Sequence, residues 1–256
     1  SMALPDLLTR GDVRLAAQAE ASTKATKILV AGNRITASGA KAIGGAVGKC
    51  EARISELDLS RNSLADSTPE GLKETFSELA VLSRKLATMC LGGLSLSDES
   101  GVSLCEAVGR MPPTPEGKRQ MLTKIDLHHN HLGPSFAKCL PLLFERCNVL
   151  AHLDLSRNSL GVGGGVAVAS ALASTTTLKT LDLSNTNLCN CTPNVATAAR
   201  LEWSGDAIAA LAAAVVDASV SELHLSHNGL CGLWLENICG EQVSRGTYTV
   251  AALDSL

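Results

Sequence analysis

Aromatic side chains are almost absent from this sequence. It contains three Phe, two Trp and one Tyr in 256 residues, although 45% of its residues are hydrophobic. Leu, Ala and Val must therefore fill the core. Small aliphatic side chains favour thin layers packed on a repeated pattern over a single thick centre.

Long apolar runs and a strong net charge are also missing. No apolar stretch reaches the roughly 18 residues of a membrane-spanning helix, and the most apolar one, residues 207–216, is amphipathic. A net charge of −3 argues against nucleic acid as the main partner. The N-terminus lacks the order of a signal peptide, and nine scattered cysteines are typical of reduced, buried thiols. We expect a monomer that contacts no membrane and lies in the cytoplasm or nucleus, not secreted.

Signatures of catalysis and of metal binding are missing as well. The glycine-rich stretch 161–165 lacks the Lys-Ser/Thr ending of a phosphate loop, so we interpret it as a flexible turn before a helix at 166–173. No Ser/His/Asp set has a nucleophile-elbow context. No Cys/His pair has the spacing of a structural zinc site. We therefore predict that the chain is not an enzyme and holds no cofactor and no metal.

One octapeptide, by contrast, is repeated along the chain. "LDLSRNSL" occurs at 57–64 and at 153–160, with near-copies at 125–132, 181–188 and 223–230. Extended backward, it becomes L-x-x-L-x-L-x-x-N-x-L and fits seven times. The period of two predicts a short strand that turns its leucines inward and its x residues outward. The Asn amide can satisfy backbone groups in the following turn, which would otherwise cost about 1–3 kcal/mol each.

Two repeats depart from this template, and a helix follows most strands. Thr186 and Leu94 replace the Asn. A hydroxyl can do part of the work of an amide, but Leu94 cannot, so we predict a locally irregular third repeat. Helical periodicity follows the strands at 38–47, 97–108 and 206–216.

The spacing of the repeats resembles a known family. The interval of 28 residues between Asn130 and Asn158, with a whole helix in each unit, resembles the ribonuclease-inhibitor class of leucine-rich repeats over roughly residues 25–235. The resemblance implies an α/β horseshoe of about seven repeats, a right-handed solenoid with a parallel sheet on its concave face and helices on its convex face.

The same pattern divides the chain into three parts. We predict an N-terminal helical partial repeat or cap at 1–24, a single-domain array at 25–247, and the start of a truncated repeat or C-terminal cap at 248–256. The chain is expected to be a piece of a longer array or protein.

Outward strand positions predict two columns of polar side chains. An acidic column sits between the strand leucines, and a partly basic one sits just before the Asn. The alternative is that "LDLS" is simply the commonest strand of the family and its Asp is solvated and idle. The candidate partner-binding residues on the concave face are Asp58, Arg61, Asp126, His128, His129, His152, Asp154, Arg157, Asp182, Asn185, His224 and His227.

Two insertions interrupt the array, at 110–121 and 189–206. Insertions in solenoids map to exposed rims and often serve binding, although loops also tolerate drift at low cost. Trp203 lies in the second insertion and is a rim-loop candidate, because an exposed Trp is a typical binding anchor.

The hypothesis that follows is a protein–protein interaction module that binds a protein partner through its concave sheet and rim loops, as part of a larger scaffold or regulatory protein. The alternative is a GTPase-activating protein similar to the Ran-activating leucine-rich-repeat family. Members of that family carry an acidic tail, which this sequence lacks, and Arg61 and Arg157 merely stand in plausible columns.

Overall fold

A computed structural model describes residues 27–49, 54–64, 68–111, 121–190, 203–230, 233–238 and 241–246. Seven short strands form one parallel sheet in the order of the sequence, and six described helices alternate with them. The strands are β1 (Lys27–Leu29), β2 (Glu56–Asp58), β3 (Thr88–Cys90), β4 (Lys124–Asp126), β5 (His152–Asp154), β6 (Thr180–Asp182) and β7 (Glu222–His224). The helices are α1 (Ala37–Lys49), α2 (Pro69–Leu82), α3 (Asp98–Gly109), α4 (Pro134–Arg146), α5 (Gly161–Ala171) and α6 (Asp206–Asp217).

The core lies between the sheet and the helices. Each strand is three residues long and points its middle residue inward, and Leu57, Leu153 and Leu181 are almost completely buried there. Neighbouring strands pair these middle positions in register, so the leucines form continuous lines through the array. The predicted α/β leucine-rich-repeat horseshoe is confirmed. Among the described helices, none combines the length and the apolarity that crossing a bilayer requires.

The helices confirm the predicted periodicity, with one correction. Helix α3 begins after Ser97, whose hydroxyl accepts the N–H of Ser100 at 3.2 Å, as a capping residue should. Residues 161–165 are not a flexible turn, because α5 already begins at Gly161. A Cβ at Gly165 would lie 2.6 Å from the Cβ of Ala207, so this glycine permits close packing of α5 against the next helix.

Among the described residues, the last repeat unit closes at the turn after β7. Residues Leu233–Ile238 (β8) and Glu241–Gly246 (β9) pair as an antiparallel hairpin within the range that the sequence analysis assigned to the array. The predicted terminal segments, 1–24 and 248–256, lie outside the described residues, as do most of the two insertions (112–120 and 191–202).

Buried asparagines connect successive repeats in what we call the asparagine ladder (Asn62, Asn130, Asn158 and Asn228). In the fourth repeat, the Asn130 Oδ1 accepts the N–H groups of Leu94 and Leu96, both at 3.0 Å, from the turn of the third. Its Nδ2 donates to the carbonyls of Leu91 and Leu127 at 3.0 and 2.9 Å. The same two-sided pattern recurs at the other three members. Each amide therefore satisfies buried backbone groups of two repeats at once.

The two repeats without Asn keep their strands in register. β3 pairs residue for residue with β2 and β4, and Leu94 is fully buried, so the prediction of an irregular third repeat is wrong for its strand. Leucine packing and the backbone bonds between strands hold the register without the amide. Thr186 donates its hydroxyl to the Leu183 carbonyl of its own repeat at 2.6 Å, which confirms that it does part of the work.

Replacing Asn158 by Ala should lower the free energy of unfolding by about 2–3 kcal/mol, because it leaves several buried backbone groups without a partner. Urea denaturation measures this. The matched control is Asn33→Ala, since within the described part of the chain that exposed amide bonds locally, to the Ala31 carbonyl. Equal losses in the two variants would contradict the role assigned to the ladder.

A second contact between repeats involves Asp98, the first residue of α3. Helix α4 follows Gly133, which has no capping side chain. The Asp98 carboxylate takes that place: Oδ1 accepts the N–H groups of Gly133 and Phe136 at 2.9 and 2.8 Å, and Oδ2 accepts that of Ser135 at 3.1 Å. Burial acts to raise the pKa of Asp98, but these bonds outweigh it and hold the pKa below its ordinary value.

Asp98→Asn should lower the stability at neutral pH by about 1 kcal/mol, the usual size of a helix cap. Because the folded pKa is below the unfolded one, the contribution of the carboxylate is present above the unfolded pKa of about 4. It disappears as the pH falls through the folded pKa. Urea denaturation of both proteins across the acid range should therefore show the two curves converging. Asp206→Asn, at the exposed start of α6, is the control, and a difference that persists in acid would contradict the assignment.

Candidate functional site

The concave face carries a column of carboxylates, which we call the Asp column (Asp58, Asp126, Asp154 and Asp182). Asp126, Asp154 and Asp182 are direct partners on the adjacent strands β4, β5 and β6. Parallel strands lie about 4.8 Å apart, so these three like charges repel one another. Cys90 stands between Asp58 and Asp126 in the same register.

Each member of the Asp column also bonds to the backbone. One carboxylate oxygen accepts the N–H two residues later, at 2.9 Å from Ser60, 3.0 Å from His128, 2.9 Å from Ser156 and 2.8 Å from Ser184. The alternative interpretation of solvated, idle side chains is corrected in one respect only, because one oxygen of each Asp bonds to the backbone. These half-buried carboxylates terminate the strands, because an Asp oxygen can replace a backbone acceptor in a turn.

The negative potential of this column acts on the Cys90 thiol. Its pKa is raised to about 11, first by burial and then by the carboxylates of Asp126 and Asp58, with partial relief from Lys124. A thiolate here would add a further negative charge to the acidic column. Cys90 is therefore a protonated, unreactive neighbour at neutral pH.

The second column occupies the turns just before the Asn positions, and we call it the turn column. All seven of its residues have a left-handed backbone, with φ between +53° and +70°. Its members are Gly32, Arg61, Gly93, His129, Arg157, Asn185 and His227. This left-handed conformation was not predicted from the sequence, although Gly and Asn at three of the seven positions were its signal.

A cluster of three side chains lies at the centre of the face. The Nδ1 of His128 is 2.6 Å from the Asp126 Oδ1, and Asp154 completes a group whose nitrogen and oxygen atoms all lie within 4.8 Å of one another. The imidazole rests on Gly92, where a Cβ would lie 2.3 Å from its ring atoms. The sequence search for paired Cys and His did not consider this combination, because its members come from two repeats.

The remaining candidates lie on the same face without forming a cluster. His152, His224 and Asn185 are exposed, and the Nε2 of His224 is 3.9 Å from the Glu222 Oε2. Arg61 and Arg157 follow strands β2 and β5, which are three strand spacings or about 14 Å apart. These two arginines therefore do not meet in a shared site.

Trp203 is not the exposed anchor that the sequence analysis expected. Its indole is half-buried against the core, and its N–H donates to the Gly229 carbonyl at 3.1 Å. Ser204 follows and donates its N–H to the Cys189 carbonyl at 3.2 Å. Trp203 thus joins the end of the second insertion to the turn of the seventh repeat.

Three comparisons relate the chain to known proteins. A family model described as a leucine-rich repeat matches residues 146–169. Among curated proteins, none matches the chain. Among solved structures, the leucine-rich repeat-containing protein LegL7 from Legionella pneumophila is similar at 17% identity and a TM-score of 0.41, over 94% of this chain and 84% of that one. A chain of the Rad7 and Elc1 complex in yeast is similar at 14% identity and a TM-score of 0.34, over 84% of this chain and 60% of that one.

The turn column generates a stability prediction. Arg157→Gly should leave the free energy of unfolding unchanged or raise it by up to about 1 kcal/mol, because glycine adopts the left-handed conformation without strain. Ser156→Gly, one residue earlier and outside the left-handed region, should lower it by about 0.5–1 kcal/mol. Urea denaturation of the two variants compares them, and an equal loss would contradict the strain at Arg157.

Proposed function

Because the chain is a leucine-rich-repeat protein, and such proteins are interaction modules, we propose that a partner protein docks on the concave face formed by the Asp column and the turn column. The observation that supports this proposal is the left-handed backbone of four cationic or imidazole residues beside the line of carboxylates: Arg61, His129, Arg157 and His227. Stability alone gives no reason for this choice of residues.

The two glycines of the turn column show that the left-handed positions do not require a side chain. A left-handed conformation costs an L-residue about 1–2 kcal/mol, and Gly32 and Gly93 meet the same backbone requirement without that cost. Arg61 and Arg157 are exposed, so burial does not repay the strain. Strained residues of this kind concentrate at functional sites. We propose that contacts with the partner compensate for the strain at these arginines.

The charge pattern indicates the chemistry of the partner. An acidic line beside a partly basic one fits a surface with the two charges in the opposite order, and such complementarity gives specificity and fast association. The described residues of the two columns include no aromatic anchor of the kind that dominates tight interfaces. The interaction we propose is therefore of moderate affinity and sensitive to salt.

The setting we propose is a monomer inside the cell, acting within a larger scaffold or regulatory protein. Cys105 and Cys147 support a reducing compartment, because they are free thiols packed in the core. Burial raises the pKa of Cys147 to about 12, which keeps the thiol protonated. The net charge of −3 supports a protein partner over a nucleic acid.

The partner is identified with a photo-crosslinking residue at Ser184 on the concave face. The same residue at Val216, which is 83% exposed on α6, is the control for the convex side. We expect cross-links to a defined protein from position 184 and not from position 216. Cross-linking from position 216 alone would contradict the proposed face.

Affinity for that partner then tests the Asp column. The triple variant Asp126→Asn, Asp154→Asn, Asp182→Asn removes three charges but keeps the oxygen that accepts each backbone N–H. We expect a dissociation constant at least about tenfold higher, which is about 1.4 kcal/mol, and a weaker salt dependence of the association rate. Surface-plasmon resonance at several salt concentrations measures both.

The matched control removes the same charge from the convex side. Glu78, Glu145 and Asp217 are exposed on helices, and their change to Gln, Gln and Asn should leave the dissociation constant unchanged. If the two triple variants bind alike, the Asp column is not part of the interface.

A further inference from the structure

The cluster at the centre of the concave face brings together three side chains of the kinds that ligate metal ions. The candidate ligand atoms of Asp126, His128 and Asp154 lie within 4.8 Å of one another, and the closest pair is 2.6 Å apart. Ligands at about 2.0–2.2 Å from a zinc ion are roughly 3.0–3.5 Å from each other. Small side-chain rotations therefore bring all three atoms into a common coordination sphere.

The positions of these side chains are already restricted. Asp126 ends β4 and Asp154 ends β5, two adjacent strands in register. The backbone at His128 is tied to the asparagine ladder, because its carbonyl accepts the Asn130 Nδ2 at 3.3 Å. The ring lies against Gly92, which has no Cβ that would displace it. The Nδ1 atom, and not Nε2, thus faces the carboxylates, and little order is lost on binding.

The ligand set selects a class of ion. One imidazole nitrogen and two carboxylate oxygens suit Zn²⁺, Co²⁺ or Ni²⁺, whereas Ca²⁺ and Mg²⁺ prefer oxygen ligands throughout. A cation between Asp126 and Asp154 also removes the repulsion between these neighbouring carboxylates. An ion can reach the site from solvent, because the side chain of His128 is 28% exposed and that of Asp126 is 17% exposed.

We propose that Asp126, His128 and Asp154 bind one divalent transition-metal ion, with the remaining coordination positions open to the concave face. All three ligands come from this chain, so metal binding does not require the docking partner and can be tested without it. An open position on that face is where a carboxylate or imidazole from another molecule would complete the coordination.

The first measurement follows the histidines of the full chain by nitrogen NMR while Zn²⁺ alone is added. We expect the Nδ1 resonance of His128 to shift at equimolar metal and the other five histidines to remain unchanged. This readout is resolved by residue, so zinc held by any of the nine cysteines does not imitate it. An unchanged His128 at equimolar or excess Zn²⁺ would overturn the proposal.

The second measurement is calorimetric titration of Zn²⁺ into variants. His128→Asn and Asp154→Asn should each weaken the affinity at this site by more than about tenfold. The controls His152→Asn and Asp58→Asn, taken from the same concave face, should match the parent chain. Circular dichroism without metal confirms that each variant is folded. Parent-like binding by the first pair would overturn the proposal, as would equal weakening in all four.

Discussion

The bridging of two repeats by one buried amide is the interaction on which the rest of this structure depends. A turn between strand and helix leaves N–H and C=O groups facing the interior, where no water reaches them. Asn130 supplies both an acceptor and two donors, and it distributes them over its own repeat and the preceding one. The leucines can then pack in continuous lines because the polar backbone behind them is satisfied.

This internal solution leaves the outward positions free for other purposes. The side chains of the Asp column and the turn column are not needed for the leucine core, although they are shaped by its backbone. The carboxylates adjust to it by accepting the N–H two residues later, and the turn column adjusts to it by adopting a left-handed conformation. The docking that we propose thus uses side chains that the scaffold orients.

The parts of the structure that follow from local rules were predictable from the sequence. The L-x-L period predicts the strands, and the Asn of the template predicts an amide that bonds to its own turn, as Asn158 does to the Leu155 carbonyl, because both depend on residues a few positions apart. The bonds of Asn158 to Leu127 and Leu132 of the preceding repeat were not predicted, since they join positions about thirty residues apart. The contact of the His128 ring with Gly92 was not predictable, since it joins residues 36 positions apart that come from two repeats. The interpretation of residues 161–165 as a flexible turn was wrong for the same reason, because Gly165 makes room for a contact with Ala207 that no local pattern shows.

The asparagine ladder is interrupted at two junctions between repeats. These interruptions divide the array into three blocks whose repeats are joined internally by amide bonds. Leu94 contributes no amide between the second and third repeats, and the Thr186 hydroxyl bonds within its own repeat and to Asn228 of the seventh. Amide bridges therefore unite repeats one and two, three to five, and six and seven. Because a solenoid repeat contacts only its neighbours, partial unfolding is cheapest at these two seams. We therefore expect the middle block, which carries Asp126, His128 and Asp154, to remain folded when either end opens.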